Sequence, residues 1–219
     1  MSDPNSICMK PVGRFYYDII SPFGYLFLKM RAPLEKKLTL KPVPIFLPGL
    51  LRAQSNIGPA EVDVKRAYTY ATVVWKAKSL GVPLTFPRRH PFASASAQRL
   101  LLSLNADMAT VDRAFAFVWA DGNDPETQWE DFCAALDLPR TTPKPEDKAI
   151  KQALIQNTAD AATAGVFGVP TVEVNGHVFW GCDHFDWLVE YLDHPDMFQD
   201  SAYSRALATE NPLAKAKKL

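Results

Sequence analysis

The feature that most constrains the fold is an abrupt change of pattern within residues 16–27, YYDIISPFGYLF. Residues 13–19 are rich in aromatic and β-branched side chains, which predicts a buried strand. Ser21 is a favourable N-cap residue, and Pro22 suits the first helical position because its missing N–H would have no intrahelical partner there. The sequence therefore predicts a buried strand that is followed directly by a helix, with a serine hydroxyl at the junction.

The helix that begins at Pro22 has one apolar face, which consists of Phe23, Leu26, Phe27 and Met30. This spacing predicts a helix that continues into the mid-30s and bends at Pro33, because proline interrupts the helical hydrogen bonds. Residues 38–46, LTLKPVPIF, are a second extended segment whose prolines favour an edge position. The chain therefore begins with a strand–helix–strand unit.

Residues 59–164 have helical patterns throughout. A predicted helix runs from Pro59 to near Gly81, and within it apolar or β-branched residues recur every three or four positions, at Val64, Tyr68, Thr72 and Trp75. Further helices are predicted at about 94–105, 109–120, 125–137 and 146–164. We expect the large aromatic residues of this region to form helical core rather than a substrate pocket; they are Trp75, Phe115, Phe117, Trp119, Trp129 and Phe132.

Strand character returns after residue 165. TVEV and HVFW flank Asn175-Gly176, a dipeptide typical of a two-residue hairpin turn, and a last helix is predicted from Asp183, which would cap it. The front unit and this hairpin with its helix can combine into one mixed sheet with flanking helices. The predicted fold is α/β: a thioredoxin-like fold formed by residues 1–47 and 165–219, with an inserted all-helical domain at 48–164.

Composition and charge exclude several classes of partner. The 219 residues contain 24 Lys and Arg against 24 Asp and Glu, so no net charge attracts nucleic acid or an anionic membrane. No apolar run approaches the ~20 residues that span a bilayer, and the N-terminus lacks the pattern of a signal peptide. We therefore expect a cytoplasmic protein that binds neither nucleic acid nor membranes.

The cysteine and histidine residues point to no metal or disulfide framework. They are Cys8, Cys133 and Cys182, with His90, His177, His184 and His194. An odd number of cysteines without CxxC spacing argues against structural disulfides, and histidines so scattered do not predict a zinc site.

Several longer motifs resemble a known family. FYYDIISPFGYLF, SNIGPAEVDVKRAY and GVFGVPTVEVNGHVFWGCD, together with HPF before AQRL, resemble the DsbA-like branch of the thioredoxin superfamily. Within that branch they are most similar to the 2-hydroxychromene-2-carboxylate isomerases and the kappa-class glutathione transferases. The resemblance covers nearly the whole chain to about residue 192. It implies an enzyme that uses glutathione as cofactor, acts on a small aromatic molecule and forms a homodimer.

The resemblance implies a chemical role for the serine at the junction between the first strand and the first helix. Thioredoxin-like oxidoreductases have Cys-x-x-Cys at this junction, whereas residues 21–24 here are SPFG and offer no thiol for disulfide exchange. What remains is a hydroxyl at a helix N-terminus, whose free N–H groups and positive dipole favour an anion. By the resemblance that anion is the thiolate of glutathione, which a hydrogen bond from Ser21 would stabilise. We predict Ser21 as the catalytic residue, and the alternative is a plain helix cap.

The other predicted glutathione contacts follow from the resemblance alone. Val169, which precedes a proline that is cis throughout the superfamily, would pair with the cysteinyl part of glutathione like an added strand. Lys65 would pair with a glutathione carboxylate, and Asn56 belongs to the same loop motif. Asp183 would hold the γ-glutamyl ammonium, and Cys182 is a candidate contact at a position where kappa enzymes have serine.

Two activities share this thiolate chemistry, and a third hypothesis needs none of it. An isomerase would interconvert 2-hydroxychromene-2-carboxylate and trans-o-hydroxybenzylidenepyruvate, in aromatic-compound degradation, by reversible thiolate addition and elimination. A glutathione transferase would leave the thiolate attached to an electrophile as a conjugate. A thioredoxin-fold binding module would not need glutathione. The resemblance favours the isomerase, although the sequence does not identify the pocket residues that decide between the two enzymes.

Overall fold

The computed structural model describes residues 10–212, so that Cys8 and the two ends of the predicted thioredoxin-like segments lie outside the described residues. Four strands form one mixed sheet in the order β2-β1-β3-β4. They are β1 (Val12–Tyr17), β2 (Thr39–Pro44), β3 (Thr171–Val174) and β4 (His177–Trp180). β1 runs parallel to β2 and antiparallel to β3, which pairs antiparallel with β4. This is the mixed sheet that the order of the sequence motifs predicts.

Helices occupy the connections of this sheet. α1 (Pro22–Met30) and α2 (Ala32–Glu35) join β1 to β2, while α9 (Phe185–Asp193) and α10 (Ser201–Leu207) follow β4. The segment between β2 and β3 contains α3 (Leu47–Ala53), α4 (Asp63–Leu80), α5 (Ala95–Ser103), α6 (Met108–Trp119), α7 (Trp129–Ala135) and α8 (Lys148–Thr163). This segment is described completely and has no strand. Its division from the rest of the chain at residues 47 and 165 as a separate domain stays a prediction.

The sheet separates two apolar layers. On one face, Phe15 and Tyr17 of β1 pack in a large cluster with buried residues from α1, from α4 to α7 and from α9. On the other face, Tyr16 packs with Leu50 of α3 and Ala161 of α8. Successive strand residues point to opposite faces, which is why neighbouring aromatic residues of β1 enter different layers. The helical segment therefore contributes to the same core as the sheet.

The helix after Ser21 is interrupted rather than bent. α1 ends at Met30 and α2 begins at Ala32. Pro33 has no N–H with which to bond the carbonyl of Lys29, so the α-helical ladder cannot continue through it.

One further helix prediction needs correction, and the sequence analysis misses two helices. The helix predicted from Pro59 begins at Asp63, after a short 3-10 turn at Pro59–Glu61. α3 is not predicted at all, because its first turn contains a proline and a glycine, both poor signals for a helix interior. α10 is also missed; it follows the predicted last helix and buries no residue.

The expectation that the helical aromatic residues are core is correct except for Trp75. Phe115, Phe117, Trp119 and Phe132 are buried, and Trp129 is partly buried against the large cluster. Trp75 is 65% exposed. The prediction is wrong there because α4 packs on the fold through Val73 and Ala77, which leaves the side of the helix that carries Trp75 in solvent.

Candidate functional site

The site forms at the junction between β1 and α1. Ser21 has extended backbone angles and is the N-cap of α1, where its Oγ accepts a hydrogen bond from the N–H of Gly24 at 3.4 Å. The same hydroxyl donates to the carbonyl oxygen of Val169 at 3.2 Å, and Ser21 is buried. The predicted cap is confirmed, and the hydroxyl has a second contact that an isolated helix cap would not need.

A cis peptide bond lies opposite Ser21. The Val169-Pro170 bond is cis, as the resemblance implies, and Val169 is the residue that the Ser21 hydroxyl contacts. The carbonyl of Pro170 accepts a hydrogen bond from the N–H of Gly181 at 2.8 Å. This bond joins the loop that carries Cys182 and Asp183 to the cis proline. Consecutive hydrogen bonds thus link Ser21, through Val169 and its proline, to the loop that carries Cys182 and Asp183.

The Cys182 thiol is buried and neutral. Burial raises its pKa to about 12, and the negative charge of Asp183 acts in the same direction, while the positive charge of Lys76 on α4 opposes them. The Sγ donates to Oδ1 of Asp183 at 3.8 Å. Cys182 therefore does not supply a thiolate at neutral pH.

Asp183 does not cap the last helix, and that prediction is wrong. The N-cap of α9 is His184, with no hydrogen bond from a side chain to the first turn. An N-cap carboxylate must accept from an N–H two or three residues further on, whereas Asp183 precedes the N-cap and its carboxylate contacts Cys182 instead. The carboxylate of Asp183 is exposed and available to a ligand.

Asn56 and Lys65 lie apart from this group in the described contacts. Both are exposed, and the side-chain oxygen of Asn56 accepts from the N–H of Ile57 at 2.9 Å. Within residues 10–212, no hydrogen bond or ion pair joins either residue to Ser21 or Val169. Their role as glutathione contacts stays a prediction. Lys76, which sequence reasoning missed, is the lysine whose charge acts on Cys182.

A buried carboxylate holds the backbone just before Ser21. Oδ1 of Asp18 accepts from the N–H of Ile20 at 3.1 Å, and Oδ2 accepts from the N–H of Leu47 at 2.9 Å and the hydroxyl of Ser94 at 3.0 Å. Burial raises the pKa of Asp18 to about 6, and these three hydrogen bonds oppose the rise. Asp18 therefore ties the junction to the starts of α3 and α5.

A buried glutamine on α5 supports the same backbone. Nε2 of Gln98 donates to the carbonyls of Tyr17 at 2.9 Å and Ile45 at 2.8 Å, and its Oε1 accepts from the N–H of Ile19 at 3.3 Å. Sequence reasoning missed Gln98, because a glutamine in a helix is normally a surface residue. Its one sequence signal is a polar residue among the apolar positions of α5.

His90 and Trp119, which also belong to the helical segment, bind the backbone just before Ser21. Nε2 of His90 lies 2.9 Å from the carbonyl oxygen of Ile20, and Nδ1 lies 2.6 Å from the hydroxyl of Tyr70. Burial lowers the pKa of His90, so the neutral ring donates from Nε2 to the carbonyl and accepts the Tyr70 hydroxyl at Nδ1. The indole of Trp119 donates to the carbonyl of Ile19 at 2.8 Å. These contacts tie His90 and Trp119 to the backbone that precedes Ser21.

Two classes of feature do not occur among residues 10–212. No helix there is both long and apolar enough to cross a bilayer. No three residues among the described histidines, cysteines and carboxylates are grouped so that they could hold a metal ion.

The fold and this site define the class of protein. Residues 14–193 match the family described as DSBA-like thioredoxin domain. The chain therefore belongs to the DSBA-like thioredoxin family, and the fold class predicted from the sequence is confirmed.

Individual relatives confirm the resemblance to the 2-hydroxychromene-2-carboxylate isomerases and the kappa-class glutathione transferases. The chain is 31% identical over 187 residues to the 2-hydroxychromene-2-carboxylate isomerase of Sphingobium xenophagum, which covers 81% of this chain and 96% of that protein. It is 23% identical over 214 residues to glutathione S-transferase kappa 1 of Caenorhabditis elegans, with 87% and 95% covered. A solved structure of a 2-hydroxychromene-2-carboxylate isomerase has a similar fold, with a TM-score of 0.73 at 24% identity over 90% of this chain and all of that one.

Proposed function

We propose that this protein is a glutathione-dependent isomerase that interconverts 2-hydroxychromene-2-carboxylate and trans-o-hydroxybenzylidenepyruvate in the degradation of aromatic compounds. The observation that carries the proposal is the Ser21 hydroxyl, placed 3.2 Å from the Val169 carbonyl where redox members of the fold need a thiol. The isomerase relative at 31% identity supports the choice of reaction. A cytoplasmic location agrees with the need for reduced glutathione.

The residues around Ser21 fit a thiol cofactor. Glutathione, when bound, supplies the thiolate that adds to the conjugated substrate and leaves it again after bond rotation. The Ser21 hydroxyl has one hydrogen to donate, and without a ligand that hydrogen points to Val169. If the hydroxyl rotates and donates this hydrogen to a sulfur anion, the Val169 carbonyl is free to accept a hydrogen bond from an N–H of the ligand. One rotation of the hydroxyl therefore gives the sulfur anion a donor and the ligand N–H an acceptor.

The electrostatics of the site favour an anion in that place. The N-terminus of α1 carries the positive end of a helix dipole. Cys182 is neutral, so it neither repels a bound thiolate nor competes with it. Hydrogen bonds to an ionised group favour the ionised form, so we expect Ser21 to lower the pKa of the glutathione thiol.

The remaining predicted contacts account for the charged ends of glutathione. Asp183 offers an exposed carboxylate to the γ-glutamyl ammonium, and Lys65 and Asn56 would bind a glutathione carboxylate from the start of α4 and the loop before it. Cys182 belongs to the loop that bonds to the cis proline and would contact the same ligand as a neutral thiol.

A second candidate is a glutathione transferase that conjugates electrophiles. The kappa-class relative, which covers 87% of this chain, favours it, and the same serine would serve the same thiolate.

One experiment separates these activities. Enzyme, glutathione and 2-hydroxychromene-2-carboxylate are incubated together while absorbance follows the substrate and mass spectrometry follows glutathione. Interconversion from either direction, with all glutathione recovered unchanged, is the expected result. A stable conjugate with a model electrophile and no interconversion would identify the transferase instead. Failure to bind glutathione in calorimetry would refute both enzymes and favour the binding module.

A further inference from the structure

Two side chains of the helical segment bind consecutive carbonyls just before Ser21. The indole of Trp119 donates to the carbonyl of Ile19 at 2.8 Å, and Nε2 of His90 lies 2.9 Å from the carbonyl oxygen of Ile20. The two rings also meet edge to face, with 5.2 Å between their centroids. The helical segment therefore reaches the backbone that leads into the proposed catalytic serine.

The peptide unit that joins Ile20 to Ser21 is held at both of its polar atoms. Its carbonyl accepts from His90, and its N–H donates to the backbone carbonyl of Asp18 at 3.0 Å. Among residues 10–212, no donor other than His90 reaches this carbonyl. A trans peptide is planar, with its carbonyl and N–H pointing in opposite directions, so that two such bonds prevent the plane from rotating. That rotation would change φ of Ser21 and move its hydroxyl.

A second hydrogen bond determines which nitrogen of His90 carries the hydrogen. Burial lowers the pKa of His90, so its ring is neutral at pH 7. Nδ1 lies 2.6 Å from the hydroxyl of Tyr70 on α4, which also lies 3.2 Å from the backbone carbonyl of His90. The single hydrogen of the hydroxyl goes to the closer acceptor, Nδ1, and the ring hydrogen is then on Nε2. Tyr70 therefore orients the ring to donate toward Ile20.

We propose that His90 is a positioning residue for Ser21, because its Nε2–H, oriented by Tyr70, holds the peptide before the serine and thereby fixes the serine hydroxyl. This role rests on the proposed function, since it acts through the thiolate that Ser21 stabilises. A donor stabilises a developing charge only when it is preorganised, and a misplacement of ~1 Å can cost about 100-fold in rate. Loss of the His90 hydrogen bond should therefore impair Ser21 without removing its hydroxyl.

A double-mutant cycle tests whether His90 acts through Ser21. His90→Leu should raise the pKa of the bound glutathione thiol by about half a unit to one unit and lower kcat at neutral pH roughly three- to tenfold. In a Ser21→Ala background the same substitution should change neither quantity, because the hydroxyl that it positions is absent. His90→Gln keeps an amide N–H that can donate to Ile20, so it should restore most of the lost kcat.

Trp129→Phe is the matched control for a purely structural effect. It also removes a ring N–H of the helical segment that donates to a backbone carbonyl, that of Thr142 at 2.7 Å. Urea denaturation should show a loss of stability like that of His90→Leu, while the thiol pKa stays at its wild-type value. Tyr70→Phe gives a milder version of the cycle, with kcat about two- to threefold lower, and serves where His90→Leu does not fold.

Ser21→Cys gives a measurement that needs no glutathione. The N-terminus of α1 lowers the pKa of the new thiol, and adding His90→Leu should raise it by about half a unit or more. The pKa is obtained from the pH dependence of alkylation by iodoacetamide, with mass spectrometry of the peptide that contains position 21. If the wild type binds no glutathione, the proposed function fails, and this measurement still decides whether His90 positions residue 21.

Three results would overturn the role of His90. Folded His90→Leu could leave kcat and the pKa of both thiols unchanged. The losses caused by His90→Leu and Ser21→Ala could multiply in the double variant, which would mean that His90 acts elsewhere. Trp129→Phe could raise the thiol pKa as much as His90→Leu does, which would mean that any loss of stability has this effect.

Discussion

The hydroxyl oxygen of Ser21 lies 3.2 Å from the carbonyl oxygen of Val169, 148 residues further along the chain. This contact joins the start of α1 to the loop before β3, so the candidate site is built from both of the chain segments that contribute strands to the sheet. The backbone that precedes Ser21 is held separately by Asp18, Gln98 and His90. The serine therefore has a fixed position before any ligand arrives, which is what stabilisation of a thiolate requires.

A buried tyrosine hydroxyl gives the first prediction. Within residues 10–212, Oη of Tyr17 is buried without a hydrogen-bond partner. Tyr17→Phe removes that unsatisfied group and should raise the free energy of unfolding by about 1 to 3 kcal/mol. Tyr25→Phe is the matched control: its hydroxyl donates to the carbonyl of Pro83 at 2.7 Å, and the loss should destabilise by ~1 kcal/mol. Urea denaturation measures both, and a destabilised Tyr17→Phe would contradict the account.

The second prediction concerns Asp18 and pH. Burial raises its pKa from 3.8 to about 6, so the folded state binds this proton more tightly than the unfolded state. The resulting stabilisation of the folded state is complete below about pH 4 and is lost as the pH rises through 6. Its size is up to ~3 kcal/mol, because one pKa unit corresponds to ~1.36 kcal/mol. Asp18→Asn lacks this titration. The stability advantage of the wild type over the variant should therefore shrink between pH 4 and 7.

Denaturation with urea at several pH values checks this sign, and Asp107 supplies a control of opposite sign. Asp107 caps α6, and a hydrogen bond from the backbone of Thr110 lowers its pKa. Its stabilisation is present above the unfolded-state pKa and is lost on acidification, so the advantage of the wild type over Asp107→Asn should grow as the pH rises. An advantage over Asp18→Asn that stays constant or grows from pH 4 to 7 would show that Asp18 is not a tightly protonated buried group.

The third prediction compares two lysines of α4. If Lys65 binds a glutathione carboxylate, Lys65→Met should raise KM for glutathione up to about fivefold, the range of an exposed ion pair, with kcat nearly unchanged. Lys76→Met is the comparison, because the charge of Lys76 acts on Cys182. Steady-state kinetics with varied glutathione decides between them. A rise in KM for Lys76→Met alone would assign the contact to Lys76 and refute the role predicted for Lys65.

The fourth prediction restores a thiol at the junction. Ser21→Cys places a cysteine at the N-terminus of α1, where the helix dipole lowers thiol pKa values. With glutathione disulfide present, the new thiolate should attack one sulfur, form a mixed disulfide and release one glutathione thiolate. Intact-protein mass spectrometry should show an added glutathione that a reductant removes, and none on the wild type. An unmodified variant would mean that glutathione sulfur does not reach position 21.

The elements with strong local signals were predictable from the sequence. The junction at Ser21-Pro22 and the Asn175-Gly176 hairpin depend on capping and turn preferences, which act over a few residues, and both are confirmed. The support from Asp18 and Gln98 was not predictable, because it depends on which distant backbone groups the fold leaves without partners. The cap predicted at Asp183 fails by one residue, which is the usual uncertainty of a helix boundary.

Periodicity carried partial information about α4. The recurrence of Val64, Tyr68 and Trp75 correctly predicts a helix with one apolar face. It does not say what covers that face, and a single chain leaves it exposed. Family resemblance supplied the cis bond before Pro170, which local patterns do not indicate.

The central claim is that the Ser21 hydroxyl stabilises the thiolate of bound glutathione. The most direct measurement is the pKa of that thiol, titrated by thiolate absorbance on the wild type and on Ser21→Ala. A hydrogen bond to a charged group contributes ~1.5 to 3 kcal/mol, so the pKa should rise by roughly one to two units in the variant. Turnover at neutral pH should fall roughly 10- to 100-fold, and the loss should shrink at alkaline pH, where glutathione ionises without help. An unchanged thiol pKa, with full activity of Ser21→Ala at neutral pH, would show that Ser21 only caps α1.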